Sequence, residues 1–211
     1  MTKKQLANII VTRLEAAYPG AFCGLDQKEP WKLLVSVRLS AQCTDERVNA
    51  VTKELFTVFP SVESLANSTP EEIEKIIRPV GLGVTKARDI YLAMNKLIND
   101  FSGVVPSTMK ELLEIPGVGR KSANLILGDM FGLPSIVVDT HCIRLSNRLG
   151  LVNSSNPAVI ENELKKIIPD EKSTDFCHRL ITFGRHICTA RSPKCGSCIM
   201  NDICKSNMLY M

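Results

Sequence analysis

The sequence lacks the signals of three large classes of protein. No apolar run approaches the roughly 20 residues that are needed to cross a lipid bilayer. The first twenty residues, MTKKQLANIIVTRLEAAYPG, turn polar too often to form the core of a secretion signal. Alternating apolar and polar residues are nearly absent, and the exception, PSIVVD at 134–139, is too short to build a sheet. We therefore expect a cytoplasmic protein that neither enters a membrane nor contains a β-sheet.

Nearly every segment carries helical signals instead. Thr2 and Gln5 have the spacing of a capping box before a helix with one apolar face. Thr69-Pro70-Glu71-Glu72 is a second capping box, with proline at the first helical position. Further helices are predicted to begin near Pro30, Asp45, Ser61, Val84, Thr108, Gly119, Asp139, Pro157 and Thr174. The prediction is an all-α protein whose 211 residues are enough for one good core or two small ones.

Acidic residues are missing from one stretch near the C-terminus. The net charge of +4 is by itself a weak indication of nucleic-acid binding. Between His178 and Asn201, however, there is no Asp or Glu, and the basic residues in this stretch are Arg179, Arg185, Arg191 and Lys194. This composition fits an anion-binding surface, although an ordinary solvated face would have it too.

The eight cysteines indicate metal binding or burial, because disulfides are rare in the cytoplasm. Those at positions 23, 43, 142 and 177 are scattered and are expected to be core thiols. The others form the pattern C-x6-C-x2-C-x5-C: Cys188, Cys195, Cys198 and Cys204. Four thiolates on one loop can hold Zn²⁺ or a 4Fe–4S cluster. Structural zinc usually has two C-x2-C-like knuckles and this loop has one, so the spacing favours iron–sulfur and leaves zinc open.

A glycine-containing turn precedes two adjacent cations in LEIPGVGRKSAN, residues 113–124. A helix that ends near Ile115 and another that starts near Arg120 would form a helix-hairpin-helix. Gly117 and Gly119 let the backbone approach a ligand, and the N-terminus of the second helix attracts anions. The motif predicts a main-chain phosphate site, with an ordinary turn between helices as the alternative. The stretch VGLGVTKA at 80–87 is a weak repeat of this motif.

Asp139 stands eighteen residues after Lys121 and immediately before a predicted helix. In this position it is expected to cap the helix, and capping alone would explain its presence. A carboxylate held by helix N–H groups also keeps its charge and direction, and it would suit an amine nucleophile that needs an orienting partner.

Together, the hairpin, the VDTH segment at 138–141 and the cysteine spacing resemble the endonuclease III family of DNA glycosylases. The resemblance covers essentially the whole chain, including LSAQCTD at 39–45 and GLGVTKA at 81–87. It implies two helical domains that flank a DNA groove. Residues 23–133 would be a six-helix domain with the helix-hairpin-helix at about 108–131. Residues 1–22 with 134–211 would be a discontinuous helical domain that holds one 4Fe–4S cluster in the loop 188–204.

The resemblance also implies roles for individual residues. Lys121 would be the nucleophile of a glycosylase that also cleaves the strand, with Asp139 assisting charge stabilisation and proton transfer. Gln42 would fill the gap left by the flipped base, and Leu82 would wedge into the base stack, next to a Gly83 where the family often has a larger residue. Phosphate contacts are expected from the hairpin and from the cluster loop: Gly117, Val118, Gly119, Arg120, Arg191 and Lys194. The expected partner is duplex DNA with damaged pyrimidines or abasic sites, bound by a monomer at the nucleoid.

Two other interpretations are weaker. A monofunctional glycosylase of the adenine or thymine mismatch branch would activate water and would lack a lysine at position 121. A non-enzymatic DNA-binding module with a structural metal would need the hairpin and the basic loop, but neither Lys121 nor Asp139.

Overall fold

The structure of the protein, a computed structural model, describes residues 1–206. Over these residues the regular elements are α-helices and short 3-10 helices, with no β-strand. This confirms the all-α prediction. Within the same range, no helix is both long enough and apolar enough to cross a membrane.

The α-helices of residues 1–206 are numbered in chain order. They are α1 Lys3–Ala17, α2 Pro30–Leu39, α3 Asp45–Val58, α4 Val62–Ala66, α5 Pro70–Ile77, α6 Gly83–Phe101, α7 Met109–Leu112, α8 Arg120–Phe131, α9 Thr140–Arg148, α10 Pro157–Lys165 and α11 Ser173–His186.

Side-chain caps explain where several helices begin. The predicted capping boxes are formed at α1 by Thr2 and Gln5, and at α5 by Thr69 and Glu72. In each box the threonine hydroxyl accepts a hydrogen bond from a backbone N–H that no helical carbonyl can reach. These signals involve residues three apart, so the sequence predicts such helix starts closely.

One compact unit consists of residues Cys23–Gly132 and contains α2 to α8. It has seven helical segments where the resemblance implies six helices, and α4 and α7 are only five and four residues long. The long helix α6 packs against α2, α4 and α5. Fully buried side chains such as Leu39, Leu55 and Met94 form its core. The burial of these aliphatic side chains is the main stabilising contribution in this unit.

The second unit consists of Met1–Phe22 and the chain from Leu133 onward, and here α11 packs against α1 and α9. Residues 135–138 of the segment PSIVVD are buried, and the segment pairs with no strand among the described residues. Its backbone donors reach side chains of α11 instead: the Ser135 N–H bonds to Ser173 Oγ at 3.0 Å and the Val137 N–H to Cys177 Sγ at 3.2 Å. These bonds hold the segment that leads into Asp139.

Candidate functional site

The predicted hairpin turn is present, and it requires glycine at its centre. Gly117 has φ +77, a left-handed conformation that disfavours side chains, and a Cβ there would lie 2.9 Å from Arg38 Cδ. The Arg38 guanidinium beneath it donates to Asp89 Oδ2 at 2.6 Å, which joins α2 to α6. The turn closes with the Val118 N–H bonded to the Ile115 carbonyl at 3.1 Å. The hairpin therefore rests on a partly buried ion pair that the sequence did not reveal.

The N-terminus of α8 is open to a ligand. Its N-cap, Gly119, has no side chain to accept from the first-turn amides, and there is open space where a Cβ would stand. Arg120 and Lys121 follow, both exposed. Within residues 1–206 no capping side chain bonds the first-turn amides of this 12-residue helix, and its positive end beside two cations makes a suitable phosphate site.

The Lys121 side chain is exposed and unrestrained, as a nucleophile that must reach a substrate requires. It is exposed at the first turn of α8, and its side chain forms no hydrogen bond or ion pair with any residue in the range 1–206. Since no partner restrains its amine, the side chain can reorient toward a substrate.

Asp139 caps α9 as the sequence predicts. Its Oδ1 accepts a hydrogen bond from the Cys142 N–H at 2.7 Å, and its backbone is extended. The other carboxylate oxygen has no hydrogen-bond donor within the described part of the chain, and the residue is half-buried. Capping thus uses one oxygen and leaves the other for a further contact. Lys121 and Asp139 belong to different units of the chain.

Gln42 and Leu82 occupy loops with unusual backbone geometry. Their φ angles are +56 and +53, and both residues are exposed, Leu82 to 53%. At Gly83, a Cβ would lie 2.9 Å from Glu74 Oε1, so the Glu74 side chain occupies the space that a larger residue would need. Exposed side chains on strained backbone are frequent at functional sites.

The four clustered cysteines line one pocket that is partly open to solvent. Burial raises the pKa of the Cys198 thiol, and the nearby Cys188, Cys204 and Cys195 raise it further. No three metal-ligating side chains among residues 1–206 are arranged to share one ion. A 4Fe–4S cluster does not require such an arrangement, because each thiolate binds its own iron. Four thiols that line the same pocket fit this cluster.

Two arginines of α9 support the cysteine loop, which has little regular structure. Arg148 donates to the carbonyls of Thr189 and Ala190 at 2.7 and 2.8 Å, and to Cys188 Sγ at 3.4 Å. Arg144 donates to the Cys188 carbonyl at 3.0 Å. These arginines satisfy loop carbonyls that no helix satisfies. Sequence reasoning missed both, because nothing local marks an arginine for a loop forty residues away.

The basic stretch 178–201 does not form a single cationic face. Arg191 and Lys194 are exposed on the cysteine loop, as a phosphate-binding role requires. Arg179, by contrast, is 5% exposed and donates to Asp175 Oδ2 at 3.1 Å and to the Tyr18 carbonyl. It therefore has a structural role within its own unit.

Two family models match the chain. Residues 35–170 match the HhH-GPD superfamily of base excision DNA repair proteins. Residues 188–204 match the iron-sulfur binding domain of endonuclease III, so the match begins at Cys188 and ends at Cys204. Together with the cavity that the cysteines line, this match establishes that the loop binds one 4Fe–4S cluster and not the zinc ion that its spacing left open.

Known proteins resemble the chain over nearly its whole length. Endonuclease III of Synechocystis sp. is 46% identical over 206 residues, which cover 97% of this chain and 94% of the relative. The structure of a trapped endonuclease III–DNA covalent intermediate, an estranged-adenine complex, has a TM-score of 0.92 and 40% identity, with 99% and 98% coverage. A thermostable thymine-DNA glycosylase has a TM-score of 0.86 and 26% identity, with 98% and 97% coverage. The similarity is thus stronger to the endonuclease III structure than to this thymine glycosylase.

Proposed function

The chain belongs to the endonuclease III family of base excision repair proteins, and from this premise we propose that it removes oxidised pyrimidines from duplex DNA and cleaves the resulting abasic site through a Schiff base on Lys121. One observation supports the chemistry above all others: Lys121, exposed and without a side-chain partner among residues 1–206, lies in the first helical turn after the glycine hairpin. Its partner is DNA. The protein acts as a monomer at the nucleoid.

In the first step, the Lys121 amine attacks C1′ of the extruded nucleotide. A C–N bond to the lysine forms while the glycosidic bond breaks, and the damaged base leaves with the bonding electrons and gains a proton. The sugar ring opens to give an imine, which makes the protons at C2′ acidic. Loss of one of them expels the 3′ phosphate, which cuts the strand, and hydrolysis of the imine then frees the enzyme.

Asp139 assists this step in the proposal. Its capped oxygen fixes the carboxylate on α9, and its other oxygen stabilises the positive charge that develops on the sugar and accepts the proton from the amine. Because a helix N–H holds it, the carboxylate does not need to be ordered at the moment of reaction.

DNA binding uses the backbone of the hairpin and the basic loop. The amides of Gly117 and Gly119, on either side of Val118, bind one phosphate of the lesion strand together with Arg120, and Arg191 and Lys194 bind others. The two domains predicted at 23–133 and at 1–22 with 134–211 both contact DNA. Bound to the four cysteines, a cluster would support the basic loop by linking Cys188 to Cys204.

Gln42 and Leu82 keep the duplex open around the extruded nucleotide. Gln42 fills the space that the base has left, and Leu82 enters the stack beside it. Their exposure supports this assignment, since each side chain is free to enter a duplex without unfolding its loop.

Arg191→Ala and Lys194→Ala are each expected to weaken DNA binding. For each variant, the loss of affinity should be the same for damaged and for undamaged duplex. Each should lower the slope of log K against log salt by about 1, because one phosphate contact is lost. Fluorescence anisotropy over a salt series measures the slope. Lys166→Ala, an exposed lysine at the end of α10, is the control and should leave it unchanged. A variant that alters only the preference among lesions would contradict the phosphate assignment.

Borohydride trapping tests the proposed function. The protein is incubated with duplexes that contain one thymine glycol, one abasic site or no damage, and borohydride reduces any imine to a stable adduct. We expect adducts with both damaged duplexes and none with the intact one. Release of free base without an adduct would indicate a monofunctional glycosylase. Binding without base release or adduct would indicate a DNA-binding module, and either result would overturn the proposal.

A further inference from the structure

Lys86 of α6 is completely buried, an unusual position for a lysine. Its ammonium donates hydrogen bonds to the backbone carbonyls of Leu39 at 2.8 Å and Val80 at 2.9 Å. Throughout residues 1–206, no carboxylate pairs with it. The charge is therefore held by two neutral carbonyls, and burial lowers the pKa of Lys86 from its ordinary value.

Burying an ammonium costs desolvation free energy that burying an apolar side chain at this position would not cost. Moving an ammonium out of water is unfavourable unless its surroundings replace the lost hydration. Leu39 is the last residue of α2, and Val80 is the last of the 3-10 helix Arg78–Val80. Carbonyls at helix ends lack partners within the helix, so the ammonium satisfies two acceptors that would otherwise be buried without a donor.

Each of these carbonyls lies just before a DNA-probing loop. Leu39 is three residues before Gln42, and Val80 is two residues before Leu82. Gln42, Leu82 and Ser102 are the non-glycine residues with positive φ in the range 1–206. Left-handed backbone at residues with side chains persists only where the surroundings fix it. One nitrogen thus fixes the starting point of both strained loops.

We propose that Lys86 is a positioning residue that joins the Gln42 and Leu82 loops into one rigid element, so that both side chains enter the base stack together. This inference rests on the proposed role of those two side chains in the duplex. Lys86 itself contacts no DNA and acts only through the two carbonyls. Its contribution should therefore appear only when a base must be unstacked.

The test compares excision of one lesion from duplex and from single-stranded DNA by the Lys86→Met protein. Methionine keeps most of the length and the apolar packing of the side chain but removes the donors. We expect base removal from the duplex to fall by about 10-fold, the order of one or two lost hydrogen bonds, and removal from the single strand to change by less than about 3-fold. Lys96→Met removes a part-exposed lysine of the same helix and should leave the ratio between the two substrates unchanged. Equal losses on both substrates would show a general structural role and overturn the inference.

Coupling between the loops gives a second measurement, which starts from variants at the exposed side chains of Gln42 and Leu82. If Lys86 joins the loops, the duplex losses of Gln42→Ala and Leu82→Ala should not add in the double variant, because each change already disables the shared element. The Lys86→Met change, when added to Leu82→Ala, should then slow base excision from the duplex little further than Leu82→Ala alone. Fully additive losses would overturn the inference even if the Lys86→Met protein failed to fold.

The same data separate this inference from the proposed function. If Gln42→Ala and Leu82→Ala slow excision equally in duplex and single strand, the proposed wedge role is wrong. If both act selectively on the duplex and Lys86→Met does not, the wedge role stands and the inference about Lys86 fails alone.

Discussion

The Lys121→Gln protein is expected to bind lesion-containing duplex DNA and to form no adduct with borohydride. Glutamine keeps much of the length and the hydrogen-bonding capacity of the side chain but has no nucleophilic amine. Binding should persist because it uses the hairpin amides that begin at Gly117. Base release should fall on the order of 10³-fold or more, the scale on which removing a covalent nucleophile acts.

The structure indicates that this substitution should affect the chemistry without affecting the fold. Lys121 is exposed and has no side-chain partner within residues 1–206, so its replacement should not change the free energy of unfolding measurably. Arg120→Gln is the matched control, because it removes the adjacent exposed charge and leaves the amine of Lys121 in place. It should weaken binding yet still give an adduct at saturating protein. A trapped adduct together with strand cleavage in Lys121→Gln would identify another amine as the nucleophile.

The Asp139→Asn protein is expected to fold normally and to excise bases very slowly. Its rate of base excision should be lower than that of the parent protein by about 10²- to 10⁴-fold, the usual effect of losing an acid–base group. The asparagine oxygen can still accept the hydrogen bond from the Cys142 N–H that Asp139 Oδ1 accepts at 2.7 Å, so the cap is retained. The charge is lost, and with it the stabilisation of the sugar as the base departs. Single-turnover measurements of base release give the rate.

A substrate with a preformed abasic site separates the role of this carboxylate in base excision from any role in strand cleavage. Its open aldehyde needs no departing base, so Asp139→Asn should cleave abasic DNA far better than it excises bases. Asp139→Ala is the control for the cap: it should also lower the unfolding free energy, by about 1 kcal/mol. Excision by Asp139→Asn at nearly the parent rate would assign Asp139 to helix capping alone.

Much of this protein could be read from short-range patterns in its sequence. The caps at Thr2 and Thr69, the glycine turn at Gly117 and the four-cysteine loop each lie within one short segment, and the structure and the family comparisons agree with them. The roles of Lys121 and Asp139 come from the family resemblance and stay predictions until their variants are measured.

Contacts between residues far apart in the chain could not be predicted from the sequence in the same way. Lys86 has the sequence appearance of a solvent-exposed lysine but is buried beneath two loops, and Arg148 holds a loop forty residues away. Arg179 and Arg191 belong to the same basic stretch, yet one is buried and the other is exposed.

The difference has a physical cause. A cap or a tight turn is fixed by hydrogen bonds between residues a few positions apart, so the sequence of each such segment by itself determined the helix starts and the glycine turn, and it determined the spacing of the four cysteines. Whether a charged side chain reaches water or a buried carbonyl depends on which helices pack above it. Only the tertiary structure decided that Lys86 joins two loops, because the carbonyls it bonds come from elements that the sequence separates by forty residues.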